Sequence, residues 1–151
     1  MGEGCGKIQA ITACAFIHKD SKLLLARRAA TKAFLPGEFE LPGGHIEFGE
    51  EMEEGLKREI KEELHLDVRI GEPFYAFTYI SQNKTKHSVE VDYFATLSNQ
   101  DQKIILNPED HSEYRWVTRE EIEEGLPISG RELLAIKKGF QIIGSAKKRK
   151  S

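Results

Sequence analysis

Several familiar signatures are missing from this 151-residue sequence, and each absence removes a class of protein. It has two cysteines, Cys5 and Cys14, which form no CxxC pair and no metal-ligand spacing, so neither a disulfide scaffold nor a cysteine zinc site is expected. Cys14 lies in an apolar stretch and reads as a buried thiol. No apolar run approaches the roughly 20 residues that span a bilayer. Met1 to Lys7 lacks an apolar segment followed by a cleavage-like site, so no secretory signal is expected and no membrane partner is called. Cytoplasm is the expected compartment. The net charge is −3, which argues against bulk electrostatic binding to nucleic acid.

No internal repeat or low-complexity linker divides the chain, and 1–151 is expected to form one domain. A glycine-rich leader (1–6) and a basic tail (145–151) are expected to be disordered ends. The tail carries Lys147-Lys148-Arg149-Lys150. Read as a nucleic-acid-binding element, it predicts steeply salt-dependent binding that disappears with the tail.

The pattern that is present mixes strands with helices. Ile8–Ile17 and Leu23–Leu25 around a polar turn predict a β-hairpin. Arg27–Gly37 reads as a loop, followed by a short strand near Phe39–Leu41. Met52, Leu56 and Ile60 recur every four residues inside a helix expected over Glu50–Leu64. Two longer strands follow, Asp67–Ile80 and Ser88–Leu97. In the second, Val89, Val91, Tyr93, Ala95 and Leu97 alternate with a more polar set that includes Glu90 and Asp92, implying one face open to solvent or a cleft. Asn107–Ser112 reads as a loop and Tyr114–Val117 as a strand. Thr118 with Glu121 predicts a capping box for a helix ending near Gly125, and a last helix is expected from Gly130 to Ile143. This order gives an α/β fold with a mixed sheet.

On a helical wheel Glu59, Glu62 and Glu63 fall within an arc of about 100°. Like charges at these spacings repel by a few tenths of a kcal/mol per pair, and Glu63 lies beside the apolar stripe, where a carboxylate is costly unless neutralised. A hard divalent cation would neutralise them, and Mg²⁺ binds carboxylates and phosphates together. A merely solvated acidic helix explains Glu51, Glu53 and Glu54 well, and Arg58-Glu59-Ile60-Lys61-Glu62-Glu63 poorly given the glycines just upstream. On spacing alone the two readings are even.

The residues upstream break the tie. From Gly44, five residues lead to Glu50 and seven more to Arg58-Glu59, followed by Ile60, Lys61, Glu62-Glu63, Leu64, His65 and Leu66. This run resembles the Nudix box, and Glu40-Leu41-Pro42-Gly43-Gly44 resembles the approach to it. One specified position departs: His65 stands where the family usually has glycine, and it reads as a turn residue in the left-handed region.

The resemblance implies a Nudix-like α/β/α sandwich with a mixed β-sheet. It also implies hydrolysis of a nucleoside diphosphate linked to another moiety, with Mg²⁺ as cofactor and Mn²⁺ as a substitute. By position, Glu59, Glu62 and Glu63 resemble metal ligands, joined by the Gly43 carbonyl and by Glu50 directly or through water. Arg58 would orient a carboxylate. A bound metal neutralises phosphate charge, holds the leaving phosphate in line and makes water a better nucleophile.

The base is left open between a box glutamate and the loop Glu109–Glu113. Within that loop Glu113 is the first candidate and His111 the second, because imidazole suits proton transfer near neutrality. Arg27, Arg28, Phe39 and Glu40 are the candidate substrate-binding residues. Phe34, Tyr79 and Trp116 are further aromatics able to stack on a base. At Gln82, neither the proline resembling ADP-ribose hydrolases nor a tyrosine resembling dinucleoside polyphosphate hydrolases is found. Nucleoside triphosphates, oxidised nucleotides and nucleotide sugars remain as small-molecule substrates. A homodimer is the other candidate partner. The rival function is a catalytically inactive Nudix-like regulatory or nucleotide-binding module.

Overall fold

The computed structural model describes residues 6–150, with the side chains of 148–150 outside that description. Cys5 and most of the leader therefore lie outside the described residues. Among those described, seven strands and three helices follow the order β1 (Ile8–Lys19), β2 (Lys22–Arg28), β3 (Phe39–Glu40), β4 (Gly43–His45), α1 (Met52–Leu64), β5 (Val68–Ser81), β6 (Lys86–Leu97), β7 (His111–Val117), α2 (Arg119–Gly125) and α3 (Gly130–Lys150).

The sheet is mixed. β1 runs parallel to β6 from Ile8↔Lys86 to Ile17↔Ala95, and β6 pairs antiparallel with the edge strand β5. At the other end, β2 carries β3 and β7 as antiparallel neighbours, and the His18↔Leu23 hairpin pair joins it to β1. β4 adds to β1 with Thr12↔His45, Ala13↔Gly44 and Cys14↔Gly43 in register. The sequence gives no strand signal at Gly43–His45, because two glycines carry no β propensity; pairing with β1 forms it.

Side-chain alternation along β1 feeds two cores. Ala13, Ala15 and Ile17 meet Leu56, Ile60 and Leu64 of α1 on one face. Cys14 and Phe16 meet Ile136 and Phe140 of α3, with Ile122 of α2, on the other. The result is an α/β/α sandwich, as expected.

The α2 capping box is present, with the Glu121 amide donating to Thr118 Oγ1 at 3.2 Å and the Thr118 amide donating to Glu121 Oε1 at 3.1 Å. His65 takes φ 59° and ψ 33°. Its amide donates to the Lys61 carbonyl, and its Nδ1 lies 2.9 Å from the Ile105 carbonyl oxygen. The ring therefore gains a contact that glycine lacks, and α1 ends where the box requires.

Several boundaries differ from expectation. β2 continues to Arg28 and β7 starts at His111, because the two pair with each other through the Arg28↔His111 register position. α3 runs past Ile143 to Lys150, so the segment expected as a frayed tail is helical through that residue. Lys147 Nζ donates to Ser21 Oγ at 2.8 Å, tying this end to the β1–β2 turn.

Candidate active site

The acidic face of α1 lies against β4, and two glycines permit that approach. A Cβ at Gly44 would collide with the Glu59 carboxylate, and one at Gly43 with the Ala13 carbonyl oxygen and Cys14 Cα. Gly43 also has φ +156°, a conformation that favours glycine. The Gly43 amide donates to Glu63 Oε1 at 3.1 Å. β4 thus presents main chain, with no side chain in the way, to the carboxylates of the helix.

Arg58 organises the rest. Its Nε and Nη2 grip Glu50 at 2.7 and 3.0 Å, and Nη1 reaches Glu59 at 3.1 Å and Glu62 at 3.3 Å. Nη2 also donates to the His45 carbonyl at 3.0 Å. This contact set holds the Glu50 carboxyl down at about 2, chiefly through the Arg58 hydrogen bonds. Glu63 lies outside the reach of Arg58. Burial first, then the Glu40 charge, raises its carboxyl well above the usual range. Burial likewise raises Glu59, against the pull of Arg58. A buried carboxyl among like charges, with the Gly43 amide as a donor, fits a hard cation such as Mg²⁺.

Glu59 and Glu63 open into a cleft of about 390 Å³ that Gly43, Gly44, Arg28 and Glu40 also line. One wall carries Phe34 and Tyr79, stacked on each other at 5.7 Å between ring centres and 12° between planes. Arg28 donates from Nε to the Phe34 carbonyl at 2.6 Å and from Nη1 to Glu40 at 3.2 Å. Two of the four expected substrate residues, Arg28 and Glu40, therefore face the cleft.

The other two do not. Phe39 is 2% exposed and belongs to the core beneath β2; β3 pairing turns it inward, which a two-residue strand does not announce. Arg27 sits over the Phe39 ring and donates to the Gly37 carbonyl and to Glu113. Trp116 packs against the α1 core.

The loop before β7 is likewise sorted by the fold. Glu113 is outside the cleft lining, its carboxylate held by Arg115 at 2.9 Å and Arg27 at 3.2 Å and lowered from its usual range by those two partners. His111 is 2% exposed, with Nε2 2.9 Å from Glu40 Oε2. It stands behind Glu40 and not in the cleft. The loop side chain that reaches the cleft is Asp110, paired with Lys32 at 2.8 Å, which in sequence nothing distinguishes from its acidic neighbours Glu109 and Glu113. Thr12, Cys14, Ser88 and Glu90 complete the cleft floor. Of the two polar strand residues expected there, Glu90 lines it and Asp92 is fully buried next to it.

With this geometry in hand, comparison with known proteins gives one answer. The NUDIX domain family matches residues 8–135. The chain belongs to the Nudix family. It is a Nudix-type nucleotide pyrophosphohydrolase, an enzyme that hydrolyses a diphosphate bond in a nucleotide. Among its relatives, a nucleoside triphosphatase NudI of Escherichia coli O81 is 30% identical over 135 residues, covering 82% of this chain and 93% of that one. Solved Nudix structures share the fold. The MutT Nudix hydrolase of Burkholderia pseudomallei superposes with a TM-score of 0.75 at 23% identity, covering 87% of this chain and 98% of its own. The MutT protein of Methanosarcina mazei Go1 gives 0.76 at 22% identity, with 91% and 96% covered. Among the described residues no helix is long and apolar enough to cross a membrane.

Proposed function

We propose that this Nudix enzyme is a Mg²⁺-dependent hydrolase of nucleoside triphosphates. The observation that carries the reading is the single cleft that joins the box carboxylates Glu59 and Glu63 to Arg28 and to an aromatic wall. Anionic phosphates, a cation and a flat base are the three things such a cleft accommodates. The NudI relative, a nucleoside triphosphatase by name, supports the substrate class.

Glu59, Glu62 and Glu63, with the Gly43 carbonyl and Glu50, would hold the metal. When bound, Mg²⁺ supplies positive charge against the phosphate oxygens and makes water more acidic. Arg58 holds Glu50, Glu59 and Glu62 in place against their mutual repulsion. Arg28 offers a guanidinium to a phosphate or to the base wall. Asp110 takes the proton from the attacking water, as the loop carboxylate that faces the cleft. His111 fixes Glu40 through its Nε2 contact and acts by positioning.

A screen for phosphate and diphosphate release over nucleoside triphosphates, oxidised nucleotides and nucleotide sugars, with Mg²⁺, Mn²⁺ or EDTA, tests this directly. Hydrolysis of triphosphates that stops in EDTA and returns with Mg²⁺ is expected. Full activity in chelator, or turnover confined to nucleotide sugars, would reject the reading. No hydrolysis of any class would leave the inactive binding module in its place.

A further inference from the structure

Three cationic side chains line the cleft, Arg28, Lys32 and Lys86. Arg28 is anchored on two sides, by the Phe34 carbonyl and by Glu40. Lys32 is placed differently, because its partner is the loop carboxylate that faces the cleft. Its Nζ donates to Asp110 Oδ1 at 2.8 Å, with both side chains partly exposed. The main chain holds the two residues beside each other. The Ala29 amide donates to the Asp110 carbonyl at 3.0 Å, and the Lys32 amide to the Ala29 carbonyl at 3.0 Å. Asp110 is fixed in turn by its own amide on the Asn107 carbonyl at 2.9 Å.

An ammonium carries three donors, and Asp110 is the hydrogen-bond acceptor that Lys32 Nζ has among the described residues. Donors are therefore left over for a second anion. Lys32 and Asp110 share the cleft with Glu59 and Glu63, and Asp110 is near enough to Glu63 for its charge to bear on that carboxyl. A cation with spare donors thus stands at the acid end of the cleft, where the phosphates of a nucleotide would meet a metal.

We infer that Lys32 is a phosphate-binding residue whose ammonium is shared, held by Asp110 in the resting cleft and handed to the phosphate tail when substrate enters. This assignment rests on the hydrolase reading above and names how that site meets its phosphates. Partly exposed ion pairs are weak, and charge-assisted bonds to phosphate are strong, so the tail can take the ammonium over. Asp110 Oδ1 then loses its donor and is free to accept a hydrogen bond from water. The carboxylate is uncovered only when a phosphate is present. The rival role is a simple brace between the loop after β2 and the segment before β7, and the two roles differ in sign.

Calorimetric binding of methylenediphosphonate, a diphosphate whose bridging carbon resists hydrolysis, tests this with Mg²⁺ present. Lys32→Gln should weaken binding by roughly tenfold, and Lys32→Arg should keep most of it. Asp110→Asn should tighten binding by roughly two- to fivefold, because the carboxylate no longer competes for the ammonium. That gain should shrink in the Lys32→Gln background, where repulsion between Asp110 and the probe remains but competition does not. A brace weakens binding in both single variants. Weaker binding in Asp110→Asn, unchanged binding in Lys32→Gln, or an equal gain from Asp110→Asn in both backgrounds would overturn the inference. The expected pattern in a protein that hydrolyses no triphosphate would uphold the shared ammonium and sink the hydrolase reading alone. Triphosphate hydrolysis with unchanged binding in Lys32→Gln would sink the inference alone.

Discussion

Arg58 and Glu50 face each other across the entry to α1 as a two-pronged pair, Nε to Oε2 at 2.7 Å and Nη2 to Oε1 at 3.0 Å. The planar guanidinium holds Glu50 with one edge and still reaches Glu59 and Glu62 with Nη1. A lysine ammonium has no such fork. Arg58→Lys should therefore weaken Mg²⁺ binding and turnover by roughly 10–100-fold, the usual cost of losing a group that orients metal ligands. Metal titration followed by heat of binding, alongside a rate assay, measures both. Wild-type affinity in the lysine variant would show that the fork is dispensable.

Glu63 separates structural from metal-binding roles by sign. Its carboxyl is disfavoured by burial and by Glu40, Glu59 and Asp110. Glu63→Gln should raise the melting temperature of the metal-free protein, since a buried carboxylate becomes a neutral amide. The same change should weaken Mg²⁺ binding by roughly tenfold or more and shrink the Mg²⁺-induced rise in melting temperature. Melts with and without Mg²⁺ decide the matter.

The loop before β7 gives a kinetic contrast. Asp110 lines the cleft and Glu113 does not. Asp110→Asn should lower kcat by roughly 10²–10⁴ with little change in KM, the range for loss of a general base. Glu113→Gln should leave kcat near the wild-type value. The opposite ranking would return the base role to Glu113.

The two glycines of β4 should fail in different ways. At Gly44 the added methyl meets the Glu59 carboxylate, the far end of a flexible side chain and not main chain. Gly44→Ala should fold and lose metal affinity. At Gly43 the methyl meets the backbone of Ala13 and Cys14, on a residue at φ +156°. Gly43→Ala should lose stability by several kcal/mol, of the size seen for overpacking and backbone strain combined. Denaturant melts and metal titrations on both variants distinguish the two.

Stability should also depend on pH through Asp92. Its folded carboxyl is raised from 3.8 to about 7, chiefly by burial, with Glu132 of α3 adding to it and the Glu90 hydrogen bond opposing. Below about pH 4 both folded and unfolded forms carry the proton and nothing is lost. As pH rises toward 7 the unfolded chain ionises while the native one keeps its proton, so stability falls across that window. Glu90 extends the fall in the same direction toward pH 10. Asp92→Asn should flatten the slope between about pH 4 and 7 in chemical denaturation series. An unchanged slope would remove Asp92 as its source.

The acidic face of α1 was legible in the linear sequence because helix geometry maps spacing directly onto one face. Glu59, Glu62 and Glu63 need no partner element to lie together, and Thr118 with Glu121 needs none to cap α2. The left-handed turn at His65 is similarly local. What the sequence left open involves residues brought together from distant parts of the chain. Phe39 looked like a base-stacking aromatic until β3 pairing turned it into the core. Glu113 and Asp110 are equally acidic in sequence, and only the β2–β7 register puts Asp110 in the cleft and leaves Glu113 with Arg27. The buried acids of the floor were the least foreseeable. Alternation on β6 set Glu90 and Asp92 on one face, but burial of that face required β1 alongside, far earlier in the chain, and α3 above, far later in it. Local spacing fixed the acidic face of the helix, and long-range packing determined which side chains line the cleft, because desolvation and hydrogen-bond partnership are properties of the assembled layers.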